Sequence, residues 1–327
     1  MTTRSRILIA ILLMLCCGLP AVAQSDPILA QYWAVPTYYN PGATGSTDYI
    51  RIRGAARLQW LGIENAPKSF LGVADSPFKL LGRRWGAGVT VTQESLGLFS
   101  NLHLGAQLAT GFKAFKGTIT IGLQAAYYNS RFRSTDIYIP DGDDFHDSND
   151  TALPDKDLSG NAPDFSLGLW YSHKLFNVGI SARHLLQPKV KLFAEGDKTS
   201  ETHDYETELR RTFYFMADSN IELKNTLFTL QPSVLVYTDA STFGADITAR
   251  AMYNRMFSAG VAYRWNQGVS IMLGVELKDF ILGYAYDIPT NAIAKGSSGS
   301  HELVAGYRFK LDFSGKNKNR HRSIRIM

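Results

Sequence analysis

Residues 269–277 read VSIMLGVEL, and the alternation in this stretch decides the fold. In an extended strand successive side chains point to opposite faces. Val269, Ile271, Leu273, Val275 and Leu277 therefore share one face, and Ser270, Met272, Gly274 and Glu276 share the other. The same two-residue period recurs outward in both directions along the chain. Leu303, Ala305, Tyr307, Phe309 and Leu311 oppose Glu302, Val304, Gly306, Arg308 and Lys310. Phe257, Ala259, Val261, Tyr263 and Trp265 oppose Ser258, Gly260, Ala262 and Arg264. Phe165, Leu167, Leu169 and Tyr171 oppose Asp164, Ser166, Gly168 and Trp170. Ile50, Ile52, Gly54, Ala56, Leu58 and Trp60 oppose Arg51, Arg53, Ala55, Arg57 and Gln59.

Extended to the whole chain, this pattern predicts about fourteen strands, near 49–61, 68–76, 85–93, 100–112, 117–129, 163–172, 175–184, 211–223, 226–237, 242–253, 256–265, 268–277, 280–287 and 301–311. Many are close to the ten or so residues that a tilted strand needs to cross a bilayer, longer than the usual strand of a soluble sandwich. The connections are unequal. His173-Lys174, Lys224-Asn225, Asn254-Arg255 and Lys278-Asp279 are tight turns after even-numbered strands, while the long stretches 130–162, 185–210 and 288–300 follow odd-numbered ones. Short turns at one end and long loops at the other mark an outer-membrane barrel and put both termini on the periplasmic side. A soluble sandwich or propeller has no reason to alternate in this way.

The expected architecture is thus all-β, a transmembrane antiparallel barrel over residues 49–313 with a short N-terminal periplasmic segment. Hydrocarbon offers a backbone no hydrogen bonds, so a sheet placed in it must close. The apolar faces would meet lipid. Trp60, Trp85, Tyr127, Tyr128, Trp265, Tyr284 and Tyr286, near strand ends, would form aromatic girdles. Arg51, Arg53, Arg57, Gln107, Gln124, Asp246, Glu276 and Arg308 would line the lumen. Gly105, Gly122, Gly168, Gly244, Gly260, Gly274 and Gly306 on that face permit curvature or close packing of whatever fills the interior.

Composition agrees. The 327 residues are 45% hydrophobic and 19% charged, with 28 glycines, which excludes a disordered chain. Two cysteines exclude a disulfide scaffold. Arg4 and Arg6, the apolar run Ile7 to Leu15 and Ala21-Val22-Ala23 read as a signal peptide over 1–23, which would carry away Cys16 and Cys17. The formal charge is +5, but Lys316, Lys318, Arg320, Arg322 and Arg325 gather in a basic tail over 314–327. The positive charge is local, which argues against a nucleic-acid partner. A solvated tail accounts for this segment, and it is also the candidate partner-binding element, toward an acidic periplasmic protein or anionic headgroups of the outer-membrane lipid.

Catalytic motifs are absent from the sequence. There is no HExxH, no close histidine pair, no G-x-S-x-G and no phosphate-binding glycine loop. Ser100 and His103 fall on opposite faces of one strand and cannot pair as nucleophile and base. Asp141, Asp143, Asp144, Asp147, Asp150, Asp155 and Asp157 crowd one loop, but their spacing does not fit an EF-hand, and a solvated outer loop accounts for them. The expectation is no enzyme, no cofactor and no metal.

Particular stretches carry a family likeness: Asp26-Pro27-Ile28-Leu29-Ala30-Gln31-Tyr32, Tyr39-Asn40-Pro41-Gly42-Ala43, the run Arg57 to Ser69 (RLQWLGIENAPKS), Pro163 to Leu169 (PDFSLGL), His184-Leu185-Leu186, Gly283 to Asp287 (GYAYD), Gly299 to Glu302 (GSHE) and Gly306 to Phe309 (GYRF). In this order they resemble the PorP/SprF family of Bacteroidetes outer-membrane proteins. The Asp-rich loop and the tail beyond Phe313 fall outside the likeness. The resemblance implies a β-barrel of the type IX secretion and gliding machinery that binds, secretes or anchors surface proteins such as gliding adhesins. Its implied partners are a cargo C-terminal domain, a periplasmic peptidoglycan-associated lipoprotein and other secretion components. A passive porin or small-solute transporter is the alternative, since a fourteen-strand barrel left unfilled is wide enough for a channel. Residues 24–48, ahead of the first strand, are expected either to plug the lumen or to pack on its rim.

Overall fold

The computed structural model describes residues 26–136, 154, 156–194, 205–224 and 226–311. Fourteen antiparallel strands close into a barrel. They are β1 Tyr49–Leu58, β2 Lys68–Leu80, β3 Arg83–Leu96, β4 Phe99–Ala114, β5 Gly117–Phe132, β6 Leu158–Ser172, β7 Phe176–Arg183, β8 Thr212–Ser219, β9 Phe228–Thr238, β10 Phe243–Tyr253, β11 Phe257–Arg264, β12 Gly268–Leu277, β13 Phe280–Pro289 and β14 Ser300–Lys310. Each pairs with the next in sequence, and β1 closes on β14 with Tyr49 opposite Lys310 and Leu58 opposite His301. No barrel strand is left as an edge, as burial in hydrocarbon requires.

The alternation has the expected sense. Ile271 and Leu273 point outward, 48% and 60% exposed, while Ser270 and Met272 point inward at 3% and 2%. The expected strands are all present, several of them longer than the apolar pattern suggests. β5 continues to Phe132 and β6 begins at Leu158, where Asn129, Ser130 and Arg131 pair with Asn161, Gly160 and Ser159. Pairing there outlasts the apolar alternation because both faces are polar beyond the bilayer, so the two-residue signal fades while the ladder goes on. β8 is interrupted at Asn220, after which Ile221–Glu222 pair again with β9.

Tyr128 departs from expectation. It faces the lumen and is buried, while its neighbour Tyr127 points out. Consecutive strand residues cannot share a face, so only one of the two can serve a lipid-side girdle. Trp265 does stand outward at the long-loop end, Tyr284 stands outward at mid-strand opposite Leu273, and Phe112, Phe228, Tyr253, Phe257 and Phe280 stand outward near the short-turn end.

The turns divide as the sequence suggests. Leu81-Gly82, Phe115-Lys116 and Asn254-Arg255 are tight turns with positive φ at both residues, the twist that matches flanking strands. Gly82 is the residue best suited to that geometry, with φ +71°. The long connections all leave the opposite end. The expected signal peptide 1–23, most of the Asp-rich loop (137–153 and 155) and the basic tail with Lys316, Lys318, Arg320, Arg322 and Arg325 lie outside the described residues. Asp157 is described: it accepts the Thr135 hydroxyl at 2.9 Å and pairs with Arg131 at 2.9 Å, so it braces the loop base.

Candidate functional site

Between Asp26 and Asp48 the sequence reads DPILAQYWAVPTYYNPGATGSTD, with no basic residue and a high aromatic content. It has neither a helical nor a strand period. It folds as consecutive short turns, Tyr32–Ala34, Pro36–Tyr39 and Pro41–Ala43, two of them opened by a proline whose fixed φ suits a first helical position. The segment rises through the barrel interior from the start of β1. Leu29, Tyr32, Val35, Tyr38 and Tyr39 are almost wholly buried and pack with Leu71, Val73, Trp170, Tyr214, Leu235 and Val304 of the wall.

Lumen glycines make this fit possible. A Cβ at Gly122 would strike the Pro41 carbonyl, one at Gly86 the Thr44 carbonyl, and one at Gly168 or Gly283 the side chain of Asn40 or Gln31. The inward glycines are thus the floor on which the segment's backbone lies. Two small cavities flank it, one of about 20 Å³ beside Arg57, Arg264 and Asp287 and one of about 30 Å³ beside Thr44 and Arg84, each with room for about one water.

Polar anchors fix its register. Asn40 donates to the Leu169 and Ile180 carbonyls at 2.9 and 3.1 Å and accepts the Gly42 N–H at 2.8 Å. Gln107 donates to the Thr37 carbonyl at 2.8 Å, and Ser181 donates to the Tyr39 carbonyl at 2.6 Å. Glu302 accepts the Ala30 and Gln31 N–H groups at 2.7 and 2.8 Å. Arg250 covers the Trp33 ring and Arg183 the Tyr38 ring, the latter at 4.4 Å, contacts strengthened by exclusion of water.

Three charge clusters surround the segment. Toward the short-turn end Arg51 pairs with Asp75, which also accepts the Gly45 N–H. On one wall Arg57 bridges Glu302 and Asp287, and Arg264 bridges Asp287 and Asp246. On the facing wall Asp26 accepts from Tyr214 Oη at 2.7 Å and lies 3.2 Å from Arg183 Nη1 and 3.1 Å from His184 Nε2. His184 Nδ1 then meets Asp164 Oδ2 at 2.8 Å, and His103 Nε2 lies 3.5 Å from that same oxygen. Buried carboxylates and cations here neutralise one another in pairs, as burial away from water requires.

The structure places the predicted lumen residues as follows. Arg51, Arg57, Gln107, Gln124 and Asp246 face inward and join these networks, and Glu276 pairs with Arg308 nearer the short-turn end. Sequence reasoning missed Asp26, His103, Asp164, Arg183 and His184 as one buried system, and Glu302 as the partner of Arg57 on the facing wall. It also found no histidine pair, yet the fold brings the His103 and His184 rings to 5.8 Å between centroids. One ligand atom each from His103, Asp164 and His184 lies within 4.8 Å of the others, the only such group of three among the described residues. The available signal was an ionisable residue on the inward face at membrane depth, which is costly without a specific partner.

The model of the family described as "Type IX secretion system membrane protein PorP/SprF" matches residues 21–307. No curated protein matches the chain. Among solved structures it is similar to the Acinetobacter baumannii outer membrane protein Omp33, at 8% identity and TM-score 0.46 over 81% of this chain and 100% of that one. It is also similar to a Pseudomonas aeruginosa FadL homologue, at 10% identity and TM-score 0.43 over 91% and 97%. A third similar structure is the P. putida toluene transporter TodX, at 9% identity and TM-score 0.42 over 80% and 88%.

Proposed function

The chain belongs to the PorP/SprF family of type IX secretion system membrane proteins, and from that membership we propose that it is an outer-membrane docking component rather than a pore. In this role it holds secreted surface proteins, gliding adhesins among them, through their C-terminal domains and joins them to periplasmic machinery. The observation that carries the reading is the lumen itself. The Asp26–Asp48 segment fills it and is anchored by hydrogen bonds and buried ion pairs to both walls. A conduit for solutes needs an open, wetted interior, whereas a rigid filled cylinder suits a platform whose two rims carry the contacts.

The long-loop end would face the cell exterior and meet cargo. The short-turn end, from which the chain continues beyond β14 to Lys316, Lys318, Arg320, Arg322 and Arg325, would face the periplasm and meet an acidic partner or lipid headgroups. Binding needs no bond-making chemistry, so the proposal assigns scaffolding and not catalysis. Planar-bilayer recording of the purified protein, together with capture of a purified cargo C-terminal domain, tests it. Silence in the bilayer with a stable cargo complex is expected. Steady solute-selective conductance without cargo binding would replace the scaffold with a transporter.

A further inference from the structure

We propose that His103, Asp164 and His184 form a binding site for one divalent transition-metal ion of the zinc class, and that the bound ion fastens the N-terminal segment in the lumen through Asp26. The three ligands come from β4, from β6 and from the residue that follows β7, so the paired stretch of wall from β4 to β7 assembles them. His184 Nδ1 and His103 Nε2 flank Asp164 Oδ2 at 2.8 and 3.5 Å. Ligand atoms on a tetrahedral zinc ion, with bonds of about 2.0–2.2 Å, sit roughly 3.3 Å apart. Adjustment by about an ångström therefore turns this cluster into a coordination shell.

Unmet polar atoms point to a ligand here. Both ring nitrogens of His103 and Oδ1 of Asp164 are buried without a hydrogen-bond partner, in side chains only 8% and 0% exposed. A protonated His184 bridging Asp26 and Asp164 would account for its own contacts and for Asp26. It leaves His103 and the second Asp164 oxygen stranded at the same spot, a cost native structures rarely carry. A metal ion held by His103 Nε2 and by Asp164 through both carboxylate oxygens would engage both side chains, leaving His103 Nδ1 as the one atom still to be met. Two imidazoles and one carboxylate select a borderline ion such as Zn²⁺ or Co²⁺ over Mg²⁺ or Ca²⁺, which prefer all-oxygen shells.

The surroundings have the form of an outer shell. A metal-bound histidine usually gives its other ring N–H to a carboxylate, which fixes tautomer and ring plane. His184 Nε2 faces Asp26 Oδ1 at 3.1 Å, and Asp26 is itself held by Tyr214 and Arg183. Asp26 belongs to the lumen segment and the three ligands to the wall, so binding the ion and seating the segment are linked. The inference is independent of the scaffold reading.

The test uses the full-length mature protein, purified in detergent and stripped with a chelator, with ZnCl2 titrated by calorimetry and Co²⁺ followed by its visible absorption. One ion per chain is expected, with Co²⁺ bands of a low-coordinate nitrogen–oxygen site. His103→Gln and Asp164→Asn should each lower affinity at least about tenfold and abolish the Co²⁺ bands. Asp26 is held by Tyr214, Arg183 and His184, so His103→Gln leaves the segment's own anchors in place, and heat-modifiable electrophoretic mobility verifies a closed barrel. Zinc should slow chymotryptic cleavage after Tyr32, Tyr38 and Tyr39 in the parent protein and not in His103→Gln. Folded parent protein that takes up no stoichiometric ion, or a His103→Gln variant with unchanged affinity, would overturn the site. Binding without any change in cleavage would overturn the fastening role.

Discussion

Glu302, on the last strand, accepts the backbone N–H of Gln31 at 2.8 Å, so the end of the barrel sequence holds the segment that precedes its beginning. The same carboxylate takes the Ala30 N–H and pairs with Arg57 at 3.1 Å. Glu302→Ala leaves two buried amides without their acceptor and Arg57 with Asp287 alone. It should cost about 2–5 kcal/mol, from the unpaired N–H groups and the loss of one arm of a buried ion-pair network. The midpoint of urea unfolding from lipid vesicles measures it, and Glu302→Gln should lose less because it still offers an acceptor oxygen.

Asn40 provides a sharper probe, since one side chain serves three backbone groups. Asn40→Ala should destabilise by about 1–3 kcal/mol through unpaired buried carbonyls. Asn40→Asp, isosteric but without the amide donors, should be at least as damaging, because it turns a carboxylate toward the Leu169 and Ile180 oxygens. If the aspartate variant unfolded at the parent urea concentration, those two hydrogen bonds would carry no weight.

The lumen glycines predict a steric effect. Gly122→Val places its Cβ against the Pro41 carbonyl, a backbone atom that cannot swing aside. Overpacking of this kind costs about 1–3 kcal/mol, and the cheapest relief is displacement of the segment from the lumen. Chymotryptic cleavage after Tyr38 and Tyr39 should rise about tenfold or more while the barrel keeps its heat-modifiable mobility. Gly72→Ala, where a Cβ meets nothing within 4 Å, is the matched control and should cleave as slowly as the parent.

On the outer face the cost of an arginine substitution depends on depth. Leu273, central in β12 and directed outward, should cost about 2–4 kcal/mol when changed to Arg. Leu81, at the short-turn end and 89% exposed, should tolerate the same change with little loss. Equal effects at both sites in vesicle refolding would contradict the placement of the bilayer.

The basic tail gives a functional prediction. Replacing Lys316, Lys318, Arg320, Arg322 and Arg325 by Gln should abolish salt-sensitive binding to anionic vesicles or to an acidic periplasmic partner. Each cation contributes up to about 1 kcal/mol near an anionic surface. Barrel stability should be unchanged, and sedimentation with vesicles at two salt concentrations reads the difference.

The strands were legible because their signal is local. Ile271 and Leu273 must face oil and Ser270 and Met272 must not, and that contrast is written every second residue. Where both faces are polar, as at Asn129 to Arg131, the pattern stops before the strand does. The charges of the lumen were legible as a class but not as pairs: Arg57 and Asp246 could be assigned inward, but not Arg57 to Glu302 and Asp287.

What the sequence determined by itself is the closed cylinder, because period-two hydrophobicity, strand length and unequal connections are properties of neighbouring residues facing two solvents. What only the tertiary structure decided is the content of that cylinder. The Asp26–Asp48 segment has no periodic signature, and its place follows from the bore and from the glycines that line it. His103, Asp164 and His184 stand far apart along the chain and meet because strand order and register bring one inward position of each to the same level.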